Sequence, residues 1–192
     1  HKVLTLPSEN GKIQAAQVEA YYLEHIQDSS FEHMVQPGMV YISNPTENGT
    51  IYSKQELTDL SEVCRKRKLP LFLDGARLGY GLMVPGYDIT MEDIASLTDV
   101  FYIGGTKVGA FFGEAVVIPD PSFIPDFRYS IKQKGGMLAK GRLLGIQFQV
   151  LFEDGLYYEI AKEAVTEALR IRNDFKKKGI SLLFDSYTNQ QF

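Results

Sequence analysis

The chain has 192 residues, and its 20 Lys and Arg against 24 Asp and Glu give a formal charge of −4. Hydrophobic residues make up 44% and charged residues 23%, the balance of an ordinary globular chain, which excludes a disordered one. The mild negative charge argues against a nucleic-acid partner, and no apolar run approaches the roughly 20 residues that cross a membrane.

The first part of the chain predicts short strands. Residues 1–6 have the pattern of a strand without any lead-in, and residues 187–192 have no helix stop, so we expect a fragment of a longer protein. Residues 20–25 have a helical pattern. Four later apolar runs are typical of buried strands: residues 39–42, 71–73, 100–103 and 115–118.

Helical patterns separate and follow these runs. Ser53 and Thr90 stand where helix caps are expected, and Leu57, Leu60, Val63 and Cys64 recur on one face of the first of these helices. Further helices are predicted at residues 123–134, 138–152 and 156–178. The alternation predicts an α/β fold whose mostly parallel sheet is flanked by helices. We expect residues 1–145 to form a large domain without its N-terminal portion, and residues 146–192 to form a linking helix and the start of an incomplete small α+β domain.

Unusual residues follow three of the predicted strands, in residues 43–50, 74–77 and 104–110. In open parallel sheets, ligands bind outside the carboxyl ends of the strands, so these segments are the candidate site. Taken singly, each residue has an ordinary explanation. Asp74 is suited to cap the next helix or to pair with Arg77, and Lys107 is suited to a solvated loop.

Together, these residues indicate a pyridoxal phosphate site. A lysine in an apolar crevice is a usable nucleophile toward carbonyls, so Lys107 is the candidate Schiff-base residue. Asp74 is suited to keep the pyridine nitrogen protonated, and Arg77 offers a planar fork for a substrate carboxylate. The Thr106 hydroxyl is suited to donate to the cofactor phosphate. The scattered histidines, His25 in a helix and His33 in a loop, show no zinc spacing, and we predict no metal site.

Three segments also carry a family resemblance. Residues 70–79 read PLFLDGARLG, Thr106-Lys107 precede Gly109-Ala110, and residues 134–137 read KGGM. With these motifs the chain resembles the low-specificity L-threonine aldolases, which belong with the β-eliminating lyases to the aspartate-aminotransferase-like, fold-type-I pyridoxal phosphate enzymes. The resemblance implies Lys107 as the cofactor lysine, Asp74 as the partner of the pyridine nitrogen and Arg77 as a substrate-carboxylate ligand. Leu138 departs from the arginine that is usual in the family.

The resemblance implies cleavage of threonine or allo-threonine to glycine and an aldehyde by a homo-oligomer, a dimer or a tetramer. The family's glycine-rich phosphate segment and stacking histidine would precede residue 1, so we expect this piece alone to be inactive. The alternatives are an aminotransferase or β-eliminating lyase of the same fold, or a non-catalytic scaffold. The single cysteine, Cys64, excludes an internal disulfide and favours the cytoplasm.

Overall fold

A computed structural model describes residues 2–192, and His1 lies outside the described residues. The strands within this range are β1 (Val40–Ser43), β2 (Leu71–Asp74), β3 (Val100–Gly104) and β4 (Glu114–Val117). The helices are α1 (Ala15–Gln27), α2 (Lys54–Arg67), α3 (Leu78–Leu82), α4 (Met91–Leu97), α5 (Phe127–Gln133), α6 (Arg142–Glu153) and α7 (Leu156–Lys177). Across residues 2–192, no helix is long and apolar enough to cross a membrane.

The four strands form one sheet in the order β1-β2-β3-β4. The first three are parallel, and β4 runs antiparallel to β3. The connection from β3 to β4 is a short loop, whereas a parallel neighbour requires a crossover of a dozen or more residues. The predicted largely parallel sheet flanked by helices is therefore confirmed.

Two helix starts follow the predicted capping pattern. The Ser53 hydroxyl accepts from the Glu56 N–H at 3.2 Å, while the Glu56 carboxylate accepts from the Ser53 N–H at 2.8 Å. Thr90 and Asp93 form the same reciprocal pair at the start of α4. Such pairs satisfy N–H groups that have no partner within the helix, and they fix where each helix begins.

Three sequence predictions on local structure are wrong. The described residues 2–6 form no strand, and Val3 is 81% exposed, because no neighbouring strand of the sheet pairs with this segment. Helix α5 begins at Phe127 rather than at residue 123, since Pro125 disfavours helical backbone in the residue before it. Helix α6 begins at Arg142, after a turn that ends at Gly141.

One face of the sheet carries the core. Side chains of β1, β2 and β3 that point to this face pack with helices α2, α3, α4 and α7. The following core side chains are almost completely buried: Ile42, Leu57, Leu60, Leu71, Leu73, Leu78, Ile94, Phe101, Tyr157, Ala161 and Val165. The first half of α7 thus belongs to the same core as the sheet. The division of the chain at residue 145 stays a prediction.

Candidate active site

The loop after β2 lies in direct backbone contact with the end of β3. The Gly104 N–H donates to the Gly75 carbonyl at 2.9 Å. A Cβ on Gly75 would lie 2.0 Å from the Tyr102 carbonyl oxygen, and one on Gly104 would lie 2.2 Å from the Ala76 carbonyl oxygen. A side chain at either position would push the two backbone segments apart. The two glycines therefore allow the segments that carry Asp74 and Lys107 to lie close together.

Asp74 ends β2 with its carboxylate half-buried. Its Oδ1 accepts from the Ala76 N–H at 2.9 Å, and its Oδ2 accepts from the Tyr41 hydroxyl. Burial raises the pKa of Asp74, but hydrogen bonds from Tyr102, Tyr41 and the Ala76 N–H, with the charge of Lys107, outweigh it and leave the pKa below its usual value. Asp74 is therefore an ionised carboxylate at neutral pH.

Lys107 lies in the loop after β3, close enough to Asp74 for its charge to lower the pKa of that carboxyl group. The Tyr80 hydroxyl donates to the Lys107 carbonyl oxygen and ties the loop to α3. The side chain of Lys107 is exposed. The apolar crevice that we expected around this lysine is therefore not formed by residues 2–192, because the sheet face beside the loop is uncovered.

Thr106 has a different partner from the one that the sequence suggests. Its hydroxyl donates to Glu114 Oε1 at 3.1 Å, and the neighbouring Gly105 N–H donates to Glu114 Oε2 at 2.6 Å. Glu114 begins β4, so this carboxylate links the loop to the next strand. A role of Thr106 toward a phosphate would require its hydroxyl to turn away from Glu114.

Arg77 stands at the start of α3 and pairs with Glu47 rather than with Asp74. The distance from Arg77 Nη1 to Glu47 Oε1 is 3.1 Å. The arginine side chain is 15% exposed, whereas that of Glu47 is 75% exposed. The guanidinium is therefore held on the protein side by packing, and its partner faces solvent, where another carboxylate could take its place.

Two buried residues to which the sequence analysis assigned no role join the elements around the site through hydrogen bonds. Asn44 is fully buried beside Asp74: its side chain accepts from the Tyr52 N–H at 3.1 Å and donates to the Tyr87 hydroxyl at 2.9 Å. Tyr157 of α7, also fully buried, joins the start of α3 to the end of β3, where the two site loops meet these elements. Its hydroxyl accepts from the Gly79 N–H at 3.0 Å and donates to the Gly104 carbonyl at 3.1 Å. No motif signals such long-range pairs.

The two described histidines, His25 and His33, lie outside these loops. His25 is buried in α1, with its ring edge toward Phe31 at 6.3 Å between centroids, and His33 ends a short 3₁₀ turn. In the described part of the chain, no three His, Cys, Asp or Glu side chains are grouped so that they could hold a metal ion.

The model of the beta-eliminating lyase family matches residues 1–192. The chain belongs to the beta-eliminating lyase family. Its relatives in that family include low-specificity L-threonine aldolases from Pseudomonas sp. (34% identity over 85% of this chain) and from Pseudomonas aeruginosa (30% identity over 100% of it). The chain spans 46% and 54% of those two proteins, about half of their length.

Solved structures give the same picture. Threonine aldolase from Leishmania major superposes with a TM-score of 0.93 at 48% identity, over 100% of this chain and 55% of that one. Cystalysin from Treponema denticola, which contains pyridoxal 5'-phosphate, has a TM-score of 0.64 at 19% identity, over 97% of this chain and 47% of that one. The second likeness shows a shared fold, and the fold predicted for the chain is confirmed.

Enzymes of the beta-eliminating lyase family depend on pyridoxal phosphate, and the donor set of this site fits that cofactor. Asp74 supplies an ionised carboxylate, the acceptor that a protonated ring nitrogen needs. Lys107 supplies a primary amine in the loop after the neighbouring strand β3. A partly shielded Arg77 supplies the cation for a carboxylate.

Proposed function

We propose that the complete protein is a pyridoxal-phosphate-dependent lyase that cleaves a β-hydroxy-α-amino acid, threonine or allo-threonine, to glycine and an aldehyde. The observation that carries this proposal is that Asp74 ends β2 and Lys107 lies in the loop after the neighbouring strand β3, in a chain 48% identical to Leishmania major threonine aldolase. Family membership alone leaves the reaction type open, and the identity to an aldolase supports the aldol cleavage over the other reactions.

Each site residue has one role in this proposal. Lys107 holds the cofactor through its amine, and Asp74 accepts a hydrogen bond from the ring nitrogen and keeps the proton there. Arg77 binds the substrate carboxylate, which must displace Glu47 from the guanidinium, and Thr106 donates to the phosphate. When bound, the cofactor supplies an electron sink for the pair released at the substrate Cα. Because Lys107 lies open to solvent, we expect residues 1–192 alone to bind the cofactor weakly and to be inactive.

Exposed apolar side chains beside the Lys107 loop support a homo-oligomer. Gln147 of α6 accepts from the Phe111 N–H at 2.7 Å and holds the loop against the helix. The loop and the outer face of α6 then present several large apolar side chains, each more than half exposed or nearly so: Phe111, Phe112, Leu143, Ile146 and Val150. A patch of this kind is typical of a subunit interface. The buried free thiol of Cys64 suits our placement of the protein in the cytoplasm.

Product analysis of the complete protein tests the proposal. Incubation with pyridoxal phosphate and threonine or allo-threonine is expected to release glycine and acetaldehyde in equal amounts. The family name favours β-elimination as the second candidate, and that reaction would release a keto acid with ammonia instead. Release of keto acid and ammonia, without glycine, would overturn the aldolase proposal and leave the cofactor assignment in place.

A further inference from the structure

The face of the sheet opposite the core places two tyrosines beside Asp74. Tyr41 of β1 is paired with Phe72 of β2, so both point to this face, as does Asp74 two residues later. Leu73 of β2 is paired with Phe101 of β3, so the next residue of β3, Tyr102, lies opposite Asp74. A side chain on a central strand can contact side chains of both neighbouring strands, either the residue directly opposite or one two positions away from it.

Contacts from two directions hold the carboxylate of Asp74. Its Oδ1 is bound by the N–H of Ala76, in the loop that follows β2, and its Oδ2 by the hydroxyl of Tyr41, from β1. Tyr102 lies across from Asp74 on β3 and helps to lower the pKa of that carboxyl group. Bonds to both oxygens from separate elements fix the rotation of the carboxylate about its side chain.

The tyrosine rings are themselves held in place. The Tyr41 ring stacks on Phe72 with 5.3 Å between centroids and 8° between planes, and Phe72 in turn lies 6.2 Å from the Tyr102 ring. Tyr41 is 52% exposed, so an isolated ring there would be free to rotate into solvent. The stack fixes the Tyr41 hydroxyl over Asp74 at little entropic cost.

We propose that Tyr41 and Tyr102 are positioning residues that hold the Asp74 carboxylate ionised and in one orientation toward the cofactor's ring nitrogen. The role toward the cofactor rests on the proposed function, but the action on Asp74 does not. An ionised carboxylate offers about four lone-pair sites. The Tyr41 hydroxyl and the Ala76 N–H occupy two of them, which leaves acceptor capacity for a protonated ring nitrogen.

The charged groups around Asp74 favour protonated tyrosine hydroxyls, which can donate hydrogen bonds to its carboxylate. Burial and the charge of Asp74 raise the pKa of both tyrosines, so their hydroxyls keep their protons. Two further carboxylates face the cluster, Glu47 toward Tyr41 and Glu114 toward Tyr102, and both act in the same direction. Lys107 is the cation that faces Asp74 itself.

The test is a pH titration of Asp74 in the complete protein without cofactor. The chemical shifts of ¹³C-labelled Asp carboxyl groups, measured by NMR, report the titration. The signal is assigned by its loss in Asp74→Asn. Loss of one hydrogen bond in Tyr41→Phe or in Tyr102→Phe is expected to raise the Asp74 pKa by about one unit, a roughly tenfold change in proton affinity. Tyr41→Phe keeps the ring that stacks on Phe72.

Tyr187→Phe is the matched control, because the Tyr187 hydroxyl donates to a different carboxylate, that of Asp185, at 2.9 Å. It is expected to leave the Asp74 pKa unchanged. An unchanged Asp74 pKa in both Tyr41→Phe and Tyr102→Phe would overturn the proposal, even if both variants melt at a lower temperature. Should one variant fail to fold, the other decides. The result is independent of product analysis, so failure of the proposed reaction is recognised separately.

Discussion

The two faces of the sheet differ in what they contribute. On one face, Leu71 and Leu73 are covered by helices and are at most 1% exposed. On the other face, Tyr41 and Val116 are more than half exposed within residues 2–192. The covered face supplies the burial that stabilises the fold, while the open face carries Asp74 and its tyrosines. The sequence of one strand therefore serves stability and chemistry on alternate residues.

The largest effect that we predict is on the open face. Asp74→Asn keeps the size of the side chain but removes the charge that holds a proton on the ring nitrogen. We expect kcat of the complete protein to fall by about 10²–10³, the scale of other lost electrostatic groups, with little change in melting temperature. Asp185→Asn removes a comparable surface carboxylate as the control, and near-normal turnover of Asp74→Asn would contradict its role.

A matched pair of valines tests the comparison of the faces directly. Val40 on β1 is 7% exposed and points to the core, whereas Val116 on β4 is 56% exposed and points to the open face. Val40→Ala is expected to cost about 2 kcal/mol of unfolding free energy through lost burial and a cavity. Val116→Ala should cost less than about 1 kcal/mol, mainly through lower strand propensity. Equal losses in urea unfolding would contradict the assignment of the faces.

Tyr157 tests whether the covered side also holds the site loops. Tyr157→Phe leaves the Gly79 N–H and the Gly104 carbonyl without their shared partner in a fully buried place. We expect a loss of about 1–3 kcal/mol of unfolding free energy and weaker cofactor binding. Tyr158→Phe, which removes a hydroxyl that does not bridge the loops, is the control. A Tyr157→Phe protein as stable as this control would show that the bridge has no structural role.

The smallest predicted effect concerns the ion pairs between α1 and α2. Hydrogen bonds from Arg67 and Lys66 of α2 hold the pKa of Glu19 in α1 at about 2. Because the pKa is lower in the folded state, the pair stabilises the protein above pH 4.5, the unfolded value, and this contribution is lost as the pH falls toward 2.

Melting temperatures measured from pH 7 to pH 3 test this pair. Glu19→Gln should melt below the unmodified protein at pH 7, and the gap should narrow on acidification. Glu167→Gln removes an exposed pair with Arg170 and serves as the control, since such pairs contribute little. A gap that stays constant with pH would contradict the ion-pair explanation.

Sequence patterns predicted the elements better than the contacts of the site. The strand runs and the caps at Ser53 and Thr90 are local signals, and the structure follows them. The Tyr41–Asp74 pair, the Tyr157 bridge and the Arg77–Glu47 pair join residues that are 30 or more positions apart. Side-chain geometry that arises only after the strands align sets these contacts. The resemblance supplied the roles of Lys107 and Asp74, and those roles stay predictions.

The proposed function requires binding of pyridoxal phosphate through Lys107, in the loop after β3. Its most direct measurement is the visible and near-ultraviolet absorbance of the complete protein with the cofactor, for the unmodified protein, Lys107→Ala and the α7 surface control Lys162→Ala. We expect Lys107→Ala to lack the absorbance band of the lysine-bound cofactor and Lys162→Ala to keep it. A band that persists in Lys107→Ala would contradict the assignment.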